Sequence, residues 1–150
     1  MPRGEYVIND ELVIPNQFTR EGLSDVMLSI FTGRDSIWQW GFCSKGFEQN
    51  QFPADIGEPT AGVGGYARKT LNVGSLGAPD WNASIVFAGV AMISTGNTAW
   101  TPTGAGWDKP VNRMFLYNAA EGHIVSFSAA ISAPVFKTTP FITAYRLYFE

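Results

Sequence analysis

Residues 104–131, GAGWDKPVNRMFLYNAAEGHIVSFSAAI, decide how the chain folds. Two apolar runs, Met114–Tyr117 and Ile124–Ile131, flank Asn118–Gly122, whose Asn and Gly tolerate the positive φ of a tight reversal. The stretch reads as an antiparallel hairpin. In its longer arm Val125, Phe127, Ala129 and Ile131 alternate with Ser126, Ser128 and Ala130, so the first set is expected in a core and the second outward. Ahead of the hairpin, Pro102, Gly104, Gly106 and Pro110 surround Trp107, an irregular loop that carries a large aromatic onto the sheet.

The other segments are also mostly strand-like. Residues 1–17 read as an extended arm. Tyr6, Val7 and Ile8, then Leu12, Val13 and Ile14, form β-prone pieces stopped by Pro15. They suit either an edge strand of the chain's own sheet or an arm laid on a neighbouring subunit. Thr19 to Gly33 carries a helical period, with Leu23, Val26, Met27, Ile30 and Phe31 as a core stripe and Ser24, Asp25 and Ser29 outward. Thr19 is the expected N-cap. Residues 37–43 form an aromatic strand with Trp38, Trp40 and Phe42 on one face. Lys45–Gly65 reads as a long loop suited to a partner, offering Phe47, Phe52, Pro53 and Ile56. Ile85–Ile93, with Ile85 and Phe87 as core residues, reads as one central strand, and Phe141–Phe149 as the last strand. With Trp107, Phe115, Tyr117, Val125, Phe127 and Ile131 completing the core, the expected fold is mainly β. It is a single-domain β-sandwich or jelly roll (18–150) with one short N-terminal helix and the arm (1–17).

Composition bounds the function. Charged residues make 15% of the 150, against about 25% in a typical domain, while aromatics make 14%. Such a surface is poorly protected against association, so the chain is expected in an assembly, as a dimer or trimer and with other subunits. A net charge of −3 offers no footprint for direct nucleic-acid binding. Residues 1–60 hold nine acids and four bases, so the excess of negative charge lies toward the N-terminus. No 18-residue apolar run exists, so no membrane span is expected. The single cysteine, Cys43, allows no intrachain disulfide, and MPRGEYVINDEL lacks the apolar core of a signal peptide, which suggests synthesis in the cytoplasm.

Reacting groups are sparse. His123 is the sole histidine, beside a turn glycine, and one His with one Cys does not give zinc-ligand spacing. Glu48–Glu58 lacks the alternating pattern of a calcium loop, Gly62–Gly65 lacks the helix and Lys of a phosphate cradle, and no Gly-x-Ser-x-Gly elbow occurs. A carboxylate pair for glycoside hydrolysis is spatial and leaves no sequence mark. The expectation is no enzyme, no metal and no cofactor. Trp38, Trp40, Trp81, Trp100 and Trp107 admit a carbohydrate-binding platform as an alternative.

Between Leu23 and Ile131 the chain resembles small virion structural proteins of tailed bacteriophages. The residues that carry the resemblance are Gly64-Gly-Tyr-Ala-Arg68, Ile85-Val-Phe87, Gly106-Trp107, Phe115–Ala120 and Gly122-His-Ile124 running into a small-residue strand. Glu121 and His123 depart from it, since relatives carry a smaller, more neutral turn. The resemblance implies a capsid decoration (cement) protein on the outer surface of the virion, made in the host cytoplasm, bound across neighbouring major capsid protein subunits. A tail or tail-fibre subunit is the alternative it also allows.

Overall fold

A computed structural model describes residues 2–32, 37–45, 56–73, 76–77, 80–82, 85–131 and 139–149. The fold is mainly β with one helix. Its strands are β1 (Pro2–Ile8), β2 (Leu12–Phe18), β3 (Ile37–Cys43), β4 (Lys69–Asn72), β5 (Ile85–Phe87), β6 (Val90–Ser94), β7 (Thr98–Trp100), β8 (Arg113–Asn118), β9 (His123–Ser128) and β10 (Phe141–Phe149), with α1 at Arg20–Thr32. They form one antiparallel sheet in the order β4-β3-β8-β9-β2-β1-β10-β6-β5, with β7 also on β10.

The sheet curls because β2 changes partners midway. Leu12–Pro15 pair with β1, whereas Asn16–Phe18 pair with β9. The change falls at Pro15, which has no N–H for a ladder, and a strand that passes from one layer to the next makes a corner. The two halves then face each other across a shared core. Phe42 of β3 meets Trp100 of β7 at 4.9 Å and Phe141 of β10 at 5.4 Å between ring centroids. Tyr6 and Tyr145 enter the same core as Trp38, Trp40, Met114 and Leu116. The ladder is continuous, so the layers expected of a sandwich are two halves of one curled sheet.

Four expectations change. First, residues 1–17 are not an arm apart from 18–150, because β1 lies between β2 and β10 in the middle of the sheet. Tyr6, Val7, Ile8 and Ile14 are buried, which removes them as partner contacts. Deleting Met1–Ile14 would take out a central strand along with any contact surface. Second, α1 follows two strands and is not N-terminal.

Third, Ile85–Ile93 is not one central strand. Ala88 (φ 51) and Gly89 (φ 80) adopt the left-handed conformation, and the chain reverses into a β5–β6 hairpin at the end of the sheet. Fourth, the phase of β9 shifts. The register slips between Leu116 and Tyr117, which pair with Ser126 and Ile124 and leave Val125 as an extra, bulged residue. Val125 therefore joins the main core with Met114 and Leu116, while Phe127 packs with Ile124, Phe115, Cys43 and Ile56 in a second cluster. Ser126 and Ser128 are buried rather than outward, the first 2.6 Å from the Tyr6 hydroxyl and the second accepting from the Met114 N–H at 2.9 Å.

Trp38, Trp40, Trp107, Phe115 and Ile131 are buried, and Tyr117 is partly so. Ile85 and Phe87 lie in β5 and Ile30 in α1, with side chains outside the described residues, as are Phe47, Phe52 and Pro53 altogether.

Candidate functional site

The bulge on β9 positions the helix. Its Ile124 and Val125 carbonyls accept from the Thr19 hydroxyl, and Val125 O also takes the Thr19 N–H at 3.0 Å. Thr19 in turn accepts from the Gly22 N–H at 2.9 Å, the bond of an N-cap. Gly22 sits directly on the bulge: a Cβ built there would lie 1.8 Å from Val125 O. This contact sets the rotation of α1. The buried face is Gly22, Asp25 and Val26, one helical stripe, and not Leu23 with Met27. Leu23 is only partly buried, and Met27 is 55% exposed.

The rotation carries Asp25 inward, against the expectation that it faces water, and onto His123 at the start of β9. His123 Nε2 and Asp25 Oδ2 stand 2.6 Å apart, with the carboxylate side chain 5% exposed. Around the pair opens a shallow cavity of about 210 Å³ lined by Glu21, Ser24, Asp25, Leu28, Glu121 and His123. Glu21 Oε2 is buried there without a hydrogen-bond partner among the described residues. The ring nitrogen that meets Asp25 is occupied by that bond, so its first effect is to tie helix to hairpin. Among the described residues, no group of three or more His, Cys, Asp and Glu side chains has an arrangement that could hold a metal ion.

A second polar cluster fastens the loop ahead of β4. Arg68 grips Glu58 through both carboxylate oxygens, Nε at 2.9 Å and Nη2 at 2.8 Å, and lies over the Tyr117 ring at 4.7 Å. The Tyr66 hydroxyl donates to Glu58 at 2.7 Å and accepts from the Phe42 N–H at 3.0 Å. Burial first, then the Glu58 charge, push the Tyr66 phenol upward, so it remains a donor. Gly64 (φ 61) completes the clasp: a Cβ there would meet Gly106 O at 2.1 Å. The Gly64–Arg68 segment and the Gly106-Trp107 segment are thus pressed together, with Tyr66 and Trp107 edge to face at 5.0 Å. Arg68 is one of the residues that carry the phage resemblance, but its pairing with Glu58, ten residues earlier, follows from no period or motif in the sequence.

Cys43 and His123 belong to different surroundings. Cys43 is fully buried in the second cluster, and desolvation pushes its thiol up to about 12, the opposite of an activated nucleophile. All five tryptophans are at most 4% exposed, so none supplies a surface platform for a sugar, and the carbohydrate-binding reading loses its residues. Of the expected partner contacts, Leu12 (44%) and Val13 (45%) are exposed at the β1–β2 hairpin, whereas Ile56 is buried. Further large apolar side chains are displayed at Ile37, Leu76 and Val86. Among the described residues no helix is long and apolar enough to cross a membrane. Comparison with family models, with curated proteins and with solved structures finds no match.

Proposed function

We propose that the chain is a non-enzymatic virion structural protein that decorates and stabilises a tailed-phage capsid by binding across neighbouring major capsid subunits. One observation carries the reading: large apolar side chains stand in water at Leu12, Val13, Ile37, Leu76 and Val86 on a chain with few charges. Burying such side chains yields roughly 25 cal/mol per Å² of apolar area, so they stabilise an assembly that covers them. The residues that carry the phage resemblance support it in a second way. Gly64, Tyr66, Arg68 and Trp107 form a clasp within the fold, which suits a rigid subunit whose role is mechanical. We read the curled sheet as an open form of the sandwich that such subunits use.

In this reading the β1–β2 hairpin replaces the free arm as the shell contact. Its turn residues Asn9 and Asp10 are left-handed (φ 52 and 59), and Leu12 and Val13 follow on opposite faces of β2. The joint variant L12D/V13D places two charges on exposed positions, so the fold should persist. Co-sedimentation with undecorated shells should fall by at least roughly tenfold, the equivalent of about 1.4 kcal/mol. A variant that decorates shells at full occupancy refutes the hairpin contact, and wild-type protein that binds tails instead of heads refutes the cement role.

A further inference from the structure

We infer that two copies of this chain pair through β5, edge to edge about a twofold axis at Val86, to form a dimer. Ala88 and Gly89 are the two turn residues, so Phe87 and Val90 close the hairpin as a hydrogen-bonded pair. Hydrogen-bonded and non-bonded pairs alternate along an antiparallel ladder, so Val86, opposite Ala91, sends its N–H and C=O away from β6. Among the described residues β5 ends the sheet, which leaves these two groups at an open edge. A three-residue strand offers one such donor and acceptor, both on Val86. A twofold axis at that residue exchanges both groups and sets Ile85 of each copy opposite Phe87 of the other.

Charge decides the occupant. No charged residue lies between Asp80 and Asp108, a stretch of sequence that includes the whole hairpin. The edge therefore lacks the lysine, proline or inward charge that usually keeps an exposed strand from pairing, and Val86 is 75% exposed beside partly buried Val90, Ala91, Met92 and Ile93. The opposite edge of the sheet is guarded: β4 carries Lys69, and Asp80 takes the Asn72 N–H at 2.8 Å. A charged or basic partner strand finds no counter-charge on β5. A second β5 is neutral, apolar and matched in register to itself.

The test uses the purified full chain, without shells, so its outcome is independent of capsid binding. Analytical ultracentrifugation across concentrations should give a dimer for the wild type. V86P removes the outward N–H at a position where an edge strand tolerates proline, and V86K opposes two like charges across the axis. Each should raise the dimer dissociation constant by at least roughly tenfold, while V86T, which keeps the backbone groups and β-branching, retains the dimer. Circular dichroism checks that the variants fold, and V86K keeps the test decisive if V86P does not. A monomeric wild type at 200 µM, roughly the upper range of such assays, overturns the inference. So does a dimer, or any larger oligomer, that persists unchanged in folded V86K.

Discussion

Replacing Gly22 with alanine adds one methyl group to the face of α1 that meets the β9 bulge. A Cβ there lies 1.8 Å from Val125 O, 2.5 Å from its carbonyl carbon and 2.7 Å from its Cα, where about 3.0 Å is the floor. Both sides of this contact are backbone, so no side chain can rotate away and the helix must lift by about 1.2 Å, the shortfall from that floor. In an exposed helix the same change is favourable by about 1 kcal/mol. Here lifting stretches the Thr19 cap, worth about 1–2 kcal/mol, and adds an overpacking cost of about 1–3 kcal/mol. The net expectation is a destabilisation of about 2 kcal/mol, a fall in Tm of roughly 4–8 °C for a chain of this size. Urea unfolding followed by tryptophan fluorescence measures the first, and the His123 ring resonances report separation from Asp25. A variant as stable as the wild type or more so, with unchanged His123 resonances, refutes the docking of α1 on the bulge.

Two further outcomes test the interior. R68K keeps the charge but loses the two-pronged grip on Glu58 and the flat stacking over Tyr117, and should cost about 1–3 kcal/mol in urea unfolding; an unchanged midpoint would mean the clasp contributes nothing. Cys43, buried and with its thiol pushed up to about 12, should react with a thiol reagent at pH 8 at least roughly 100-fold more slowly in the native protein than in urea. Rapid labelling of the native chain would contradict its burial beside Ile56 and Phe115.

Local chemistry was legible in the sequence, and the contacts between distant segments were not. The β8–β9 hairpin follows from Asn118 and Gly122, whose turn is held by Asn118 Oδ1 accepting from the Ala120 and Glu121 N–H groups at 3.1 and 3.2 Å. The helix and its Thr19 cap likewise follow from residues close in sequence. The rotation of α1 does not, because it is set by Gly22 on Val125 and by Asp25 on His123, 98 residues away. Hydrophobic period alone favoured Leu23 and Met27. The bulge at Val125 was hidden for the same reason: strict alternation cannot register an extra residue whose carbonyl, with that of Ile124, is taken up by Thr19. The β-prone character of Tyr6–Ile8 was readable, but its place beside β10 rests on pairing across the whole chain, Tyr6 with Tyr145. In Ile85–Ile93 the Ala88-Gly89 pair was the available sign of a turn, masked by the apolar residues on either side.

Cryo-electron microscopy of the particle that carries this chain tests the proposed place on a virion surface. Density of this curled sheet is expected on the outside of the head lattice, spanning adjacent capsid subunits, with the β1–β2 hairpin against the shell. Density confined to the tail, or a particle that lacks the chain, contradicts it.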